Sequence, residues 1–272
     1  MPEGPEIRRA ADKIAAVLED QVIEQVRFGL PDLTQFDEQL SGQRVTWLET
    51  RGKALLTHFD HGLSIYSHNQ LYGRWYVVKR GKEPATRRSL RLALHTQSHS
   101  ALLYSASDIA VLDSDGLAQH PFLARIGPDI LNPTLHWRDV AKILSSPSFV
   151  RRGVGAFYLD QSFLAGIGNY LRSEILFEAG VNPRKKPGEL STKQLNDLAR
   201  ATLSISQRAY KTGGITNSEA NVKALKKQGL KRRDYRHWVF GRDNQNCHRC
   251  GEIIIKEPIA SRRLYWCPLC QY

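Results

Sequence analysis

The chain has 272 residues, with 39 Lys and Arg against 27 Asp and Glu, for a net charge of +12. At 41% hydrophobic and 24% charged residues it has the composition of a globular chain of about two domains. No run approaches the ~18 consecutive apolar residues of a membrane-spanning helix, so the positive excess points first to nucleic acid and only second to an anionic membrane surface.

The opening Met1-Pro2-Glu3-Gly4-Pro5-Glu6 has no basic region followed by an apolar run, so no secretory leader is expected. Ile7, Ala10, Ala11, Ile14, Val17 and Leu18 then recur at helical spacing, with Arg8, Arg9, Asp12 and Lys13 on the other face. Pro5 suits a first turn, and the pattern ends near Asp20. From there to about Asp113 the period falls to two. Leu90, Leu92 and Leu94 alternate with Arg91, Ala93 and His95, and Ala54–Phe59, Leu63–Ile65, Trp75–Val78 and Ala101–Ser105 are further short β-like runs. Short strands without intervening helices predict an antiparallel sandwich or barrel. Gly127-Pro128-Asp129 and Asn132-Pro133 mark a domain boundary. Helices are predicted over Arg138–Leu144, Asn169–Ala179 and Thr192–Lys211, the last with Ser191 as N-cap. Lys211–Arg236 reads as a loop or weak helix, and the tail as a hairpin.

Charge and cysteine are both concentrated at the end of the chain. From Arg208 to Tyr272 there are 14 Lys and Arg against 5 Asp and Glu, a net of +9. Cys247, Cys250, Cys267 and Cys270 form two C-x2-C pairs separated by sixteen residues. This is zinc-ribbon spacing, in which each knuckle offers two thiolates to one tetrahedral ion. Ile253–Ile255 and Leu264–Trp266 are expected to form the arms of the hairpin. The alternatives are two disulfides or four separate thiols.

The N-terminus carries groups suited to covalent chemistry. Removal of Met1 before Pro2 would leave a secondary amine with a pKa near 8, partly unprotonated at neutral pH. Such an amine attacking an aldehyde-level carbon gives an iminium, an electron sink for elimination. Glu3 is placed to serve as a proton donor, with Glu6 one turn further on. Carboxylates also favour the positive end of a helix, so simple capping remains open at this point.

Met1–Glu6, the run Asp160-Gln-Ser-Phe-Leu-Ala-Gly-Ile-Gly-Asn-Tyr170 and the terminal Tyr265-Trp-Cys-Pro-Leu-Cys270 together resemble the formamidopyrimidine-DNA glycosylase/endonuclease VIII family. Glu49-Thr-Arg-Gly-Lys-Ala-Leu-Leu-Thr-His-Phe59 and Tyr66-Ser-His-Asn-Gln-Leu-Tyr-Gly73 are similar to its endonuclease VIII branch. The motifs run from Met1 to the end of the chain.

The resemblance implies a bifunctional base-excision repair enzyme that flips a damaged nucleotide out of duplex DNA. Pro2 would attack C1′, Glu3 would donate a proton at the sugar or base, and β- then δ-elimination would cut the strand on both sides. Lys53 matches the family's proton donor for β-elimination and a phosphate contact. Asn169 ends a Gly166-Ile167-Gly168-Asn169 phosphate cradle at the start of a helix. Arg262, placed at the hairpin tip five residues before Cys267, matches the zinc-finger arginine that binds phosphate and assists δ-elimination, with Arg263 beside it. Gln70, Leu71 and Tyr72 match the triplet that fills the hole left by the extruded base, and Arg125 matches a DNA contact. Asp160 and Glu174 are expected to be caps or structural hydrogen-bond partners.

The implied architecture is α+β: an N-terminal β-sandwich catalytic domain with flanking helices (1–128), a helical helix–two-turn–helix DNA-binding domain (129–236) and a zinc ribbon (237–272). One structural Zn²⁺, damaged double-stranded DNA as partner, no membrane, a monomeric state and a bacterial, cytoplasmic, nucleoid-associated location follow from the same reading. Gln70-Leu71-Tyr72 favours oxidised pyrimidines such as thymine glycol. The basic stretch from Thr212 to Trp238, longer than expected for this branch, leaves oxidised purines open. A non-catalytic DNA-binding protein on the same scaffold is the remaining alternative.

Overall fold

The computed structural model describes residues 2–272, and Met1 lies outside them. In chain order the elements are α1 (Gly4–Leu18), β1 (Gln25–Phe28), α2 (Phe36–Leu40), β2 (Val45–Arg51), β3 (Ala54–Phe59), β4 (Ser64–His68), β5 (Arg74–Lys79), β6 (Leu90–His95), β7 (His99–Tyr104) and β8 (Asp108–Leu112). There follow α3 (Ser114–Gln119), α4 (Trp137–Leu144), α5 (Val154–Phe157), α6 (Asn169–Glu178), α7 (Thr192–Thr212), α8 (Glu219–Lys227), α9 (Arg232–Tyr235), β9 (Ile255–Ile259) and β10 (Arg262–Trp266). The described residues divide into two compact units, residues 6–125 with Pro2, and residues 126–272 with Glu3–Pro5.

The first unit holds two four-stranded antiparallel sheets, ordered β1-β6-β7-β5 and β2-β3-β4-β8. Their inner faces meet in one apolar cluster. Val26, Phe28, Leu92, Leu94 and Leu103 come from one sheet, and Leu55, Phe59 and Ile65 from the other, with Ile14 and Leu18 of α1. The two-residue period places Leu92 and Leu94 inward and turns Ala93 to the other face. Strand β3 is buried on both faces, because Phe122 and Leu123 cover the Ala54–Leu56 side. That explains why Ala54–Phe59 reads as a continuous apolar run and not as an alternation.

In the second unit α6 is the central element, packed against α7 and β10. Every residue from Tyr170 to Phe177 is buried, which accounts for its lack of an amphipathic period. Helix α7 begins at the expected cap. The Ser191 Oγ accepts from the Gln194 N–H at 3.2 Å, and the Gln194 side chain accepts from the Ser191 N–H at 3.0 Å. It ends at Gly213, whose φ of 69° an L side chain would resist.

Three features settle or correct the sequence expectation. Residues 219–227 are a helix capped by Ser218, with Val222 and Leu225 buried three residues apart beneath the lysines. The first ribbon arm is β9 over Ile255–Ile259, because Ile253 instead bridges Asn246 inside the first knuckle. Arg262 is the first residue of β10, and the tip itself is Ala260–Ser261, both with positive φ as a tight hairpin turn requires. The ribbon also shares its core with the helices. Leu264 and Trp266 join the α6–α7 cluster, while Phe177 of α6 packs with Tyr265, Cys247 and Cys267.

Candidate active site

Glu3 is 3% exposed and sits at the N-terminus of α6. Its Oε2 accepts from the Gly168 N–H at 2.8 Å and the Leu171 N–H at 3.2 Å, and its Oε1 from the Tyr170 N–H at 2.9 Å. Gly168, the residue preceding the helix, supplies no side-chain cap. Glu3 therefore satisfies N–H groups that a helix start leaves without partners, and places negative charge at the positive end of the helix dipole. The Gly4 N–H to Gly166 carbonyl bond at 2.8 Å fixes the neighbouring backbone. A Cβ on Gly168 would lie 2.3 Å from the Glu3 carboxyl carbon, so this close approach requires glycine. Pro2 lies two residues before α1 and is partly exposed.

Arg172, one turn into α6, is fully buried. Its Nη2 donates to the Asn169 Oδ1 at 3.2 Å and to the carbonyls of Arg262 at 3.3 Å and Arg263 at 3.2 Å. Its Nη1 donates to the carbonyls of Gly155 and Ile259. Burial lowers its pKa to about 10, with the Glu3 charge opposing that shift and Arg262 adding to it. Three sequence-predicted residues, Glu3, Asn169 and Arg262, are thus gathered around one helix turn. The Arg262 and Arg263 side chains themselves are exposed.

In the first unit the turn joining β2 to β3 and the loop after β4 lie at one end of a sheet, since Ala54 pairs with both Arg51 and His68. Lys53 is only 8% exposed, packed beside Ile7, Ala10, Ser67, Asn69 and Trp75, and is not a freely solvated surface lysine. The triplet behaves differently. Leu71 is 56% and Tyr72 66% exposed, so neither packs in a core. The Gln70 N–H donates to the His68 Nδ1 at 3.0 Å, and its Oε1 accepts from the Ser107 hydroxyl at 3.0 Å, which fixes the base of the loop. Burial holds the His68 pKa below its usual value, with Asp108 opposing and Lys53 assisting. Arg125 is exposed, and its Nε donates to the Pro121 carbonyl at 2.9 Å. Among the described residues no hydrogen bond or ion pair links it to the other predicted residues.

The four cysteine sulfurs all lie within 4.8 Å of one another, with Cys250 and Cys267 at 3.4 Å and Cys247 and Cys270 at 4.0 Å. No disulfide joins the four cysteines, and all four sulfurs converge on one point as ligands of a shared ion would. A tetrahedral ion with sulfur ligands at ~2.3 Å spaces them about 3.8 Å apart, so the cluster fits one metal ion. Cys247 and Cys267 are buried, while Cys250 is exposed.

Asp160 and Glu174 serve structure. Asp160 accepts from the Ser162 hydroxyl and N–H and pairs with Arg152 at 2.9 Å. Glu174, fully buried in α6, accepts from the N–H groups of Trp238, Val239 and Phe240 at 2.8–2.9 Å and from the Thr216 hydroxyl at 2.5 Å. The same hydroxyl lies 2.9 Å from the His237 Nδ1. Sequence reasoning did not find Arg172, Thr216 or His237. For Arg172 a signal existed: Arg and Glu two residues apart in an otherwise apolar helical run demand buried partners.

Residues 1–107 match the formamidopyrimidine-DNA glycosylase N-terminal domain, and residues 126–221 match that family's H2TH domain. A protein from Klebsiella pneumoniae named Endonuclease 8 is 50% identical over 272 residues, covering all of both chains, and one from Escherichia coli O17:K52:H18 is 49% identical with the same coverage. The chain belongs to the formamidopyrimidine-DNA glycosylase/endonuclease VIII family. As a member it is a base-excision repair enzyme, a bifunctional DNA glycosylase and AP lyase. Solved structures of the family share the fold. MutM in complex with DNA containing carbocyclic 8-oxo-G has a TM-score of 0.79 at 20% identity over all of both chains. Lactococcus lactis Fpg with an abasic-site DNA has a TM-score of 0.80 at 21% identity over 99% of each. The alignment with the Klebsiella relative spans both whole chains, so the basic 212–238 stretch is not an added segment relative to that relative.

Proposed function

We propose that this enzyme removes oxidised pyrimidines, thymine glycol among them, from double-stranded DNA through a covalent bond to Pro2. The Pro2 nitrogen, freed by loss of Met1, attacks C1′ of the extruded nucleotide as the base leaves. Opening of the sugar ring gives an iminium. Loss of a C2′ proton then expels the 3′-phosphate, loss of the C4′ proton expels the 5′-phosphate, and water releases the proline. Glu3 manages the proton at the sugar or base, Lys53 assists β-elimination, and Arg262 assists δ-elimination. Asn169 and Arg125 contact DNA, and Gln70, Leu71 and Tyr72 occupy the space the base vacates. Cys247, Cys250, Cys267 and Cys270 hold a structural Zn²⁺, which takes no part in the chemistry. Residues 1–128, 129–236 and 237–272 act as catalytic, DNA-gripping and zinc-ribbon modules of a monomer that works on bacterial DNA in the cytoplasm, associated with the nucleoid. The lysines of α8 add phosphate contacts.

The observation that most supports this reading is the capture of the Glu3 carboxylate by the Gly168, Tyr170 and Leu171 N–H groups. Capping by a local residue would satisfy the same helix, yet α6 is capped by the residue next to Pro2. The exposed Leu71 and Tyr72 support a wedge and a stacking ring. Borohydride reduction on duplexes carrying an abasic site or thymine glycol tests the proposal. A covalent adduct is expected from the wild type and none from Pro2→Gly. Equal trapping by both would refute the proline mechanism. A panel of oxidised bases tests specificity, and faster excision of 8-oxoguanine than of thymine glycol would overturn the pyrimidine assignment.

A further inference from the structure

Arg172 is a fully buried cation that belongs to none of the proposed chemical steps. Burying a guanidinium is costly unless nearly all of its donors are satisfied. Here the acceptors come from three separate places: the Gly155 carbonyl at the start of α5, the Asn169 side chain, and the carbonyls of Ile259, Arg262 and Arg263 around the ribbon tip. The fork geometry matters. Two terminal nitrogens at a fixed separation reach five acceptors, which a single ammonium at the end of a flexible stem does not reproduce.

Each acceptor has a consequence for a neighbour. The Asn169 Oδ1 is occupied by Arg172, which fixes the amide so that its other end, the NH₂ that can donate to a phosphate oxygen, is the one left out of this bond. The hairpin turn at Ala260–Ser261 has positive φ at two non-glycine residues, a conformation that needs support from its surroundings. Carbonyls on both sides of that turn, at residues 259, 262 and 263, are held by the one guanidinium. The backbone that carries the Arg262 side chain is thereby tied to the helix whose N–H groups hold Glu3.

We infer that Arg172 is a positioning residue for the elimination chemistry: it fixes the ribbon tip, and so the Arg262 guanidinium, relative to the Asn169 amide and the first turn of α6. The inference rests on the roles proposed above for Arg262 and Asn169. It assigns Arg172 no contact with substrate. It predicts that loosening Arg172 slows the step served by Arg262 more than the steps served by Pro2.

The test uses the zinc-loaded full chain and duplex DNA with a single abasic site. Arg172→Lys keeps the charge without the fork, and Arg172→Gln removes the charge. Single-turnover gels separate the β-elimination product from the δ-elimination product, borohydride trapping reports the Pro2 adduct, and zinc content and thermal unfolding report the fold. A displacement of about 1 Å at a positioned group costs up to about 100-fold in rate. The expected result is native zinc content and near-native trapping, with δ-elimination slowed about tenfold or more in Arg172→Lys and further in Arg172→Gln. Wild-type product ratios in zinc-replete Arg172→Lys and Arg172→Gln would overturn the inference. So would loss of zinc in both variants, which would make Arg172 a prop of the ribbon alone. Arg262→Ala is measured in parallel. If it too leaves the product ratio unchanged, the proposed role of Arg262 has failed, and the inference falls with it for that separate reason.

Discussion

Replacing Glu174 with Gln tests whether a single buried carboxylate holds the segment after α9 onto α6. Its Oε1 accepts two N–H groups, from Val239 and Phe240, and its Oε2 accepts the Trp238 N–H and the Thr216 hydroxyl. Gln keeps one carbonyl oxygen and sets an NH₂ group against donors. With the oxygen on the Val239–Phe240 side, the Thr216 hydroxyl can rotate and accept from the new NH₂. The Trp238 N–H then has no acceptor. One orphaned buried N–H costs about 1–3 kcal/mol, and the two retained bonds lose their charge assistance. Burial pushes the Glu174 carboxyl up, which means the native carboxylate already carries a desolvation cost that the neutral amide escapes. The balance is a loss of about 2–4 kcal/mol. At roughly 2–4 °C per kcal/mol for a chain of this size, the unfolding midpoint should fall by about 5–15 °C. Differential scanning calorimetry and urea titration of the zinc-loaded protein measure it. A Glu174→Gln variant within about 0.5 kcal/mol of the wild type would refute the account of this carboxylate as the anchor of residues 238–240.

Gly168→Ala should fold, because φ there is −134°, which alanine adopts readily, but the new Cβ would displace the flexible Glu3 carboxyl group. Turnover should fall by about 100-fold or more with zinc retained, and wild-type turnover in the folded variant would show that the placement of Glu3 is not needed. His237, pushed down to about 3 by burial with help from Arg236 and Arg232, is neutral in the folded chain. Its depressed pKa contributes stability that is fully present above the unfolded value near 6.5 and is lost as pH falls toward 3. Denaturant titrations should therefore show the wild type losing about 2 kcal/mol more than His237→Asn between pH 6.5 and pH 5, and parallel profiles would count against this assignment.

What the sequence shows well is what arises from local period and local chemistry. Helix α1 follows from the spacing of Ile7, Ala11, Ile14 and Leu18, and α7 from its Ser191–Gln194 capping box. The cysteine cluster was legible because its ligands come as two local pairs. Helix α8 was obscured by its composition. Only Val222 and Leu225 mark its buried side, and four residues of Lys and Glu charge dominate the rest. The ribbon arm shifted to Ile255–Ile259 because three consecutive isoleucines give no phase, and tertiary pairing with β10 decided it. The site was half visible. Pro2, Glu3, Lys53 and Asn169 are named by type and motif, but the bond from Glu3 to Gly168 joins residues 165 positions apart and uses backbone donors that no side-chain pattern encodes.

That last point explains why α6 organises this unit. Within ten residues it receives Glu3 on the N–H groups of its first turn, and sends Arg172 to the ribbon tip and Glu174 to residues 216 and 238–240. Asn169 and Arg172 are three apart and so share a face, which lets one bond fix both side chains. The cost is two charged side chains, Arg172 and Glu174, within the fully buried Tyr170–Phe177 stretch, and an apolar pair would bury more cheaply. A greasy helix, however, would hold its neighbours only by packing, which tolerates sliding. Directional bonds from a fixed helix terminus do not slide, and they set Glu3, Asn169 and the ribbon tip by angle as well as distance. Charge enters the core of this unit where backbone segments must be held in register, while the two sheets of the first unit are joined by the aliphatic side chains of their inner faces.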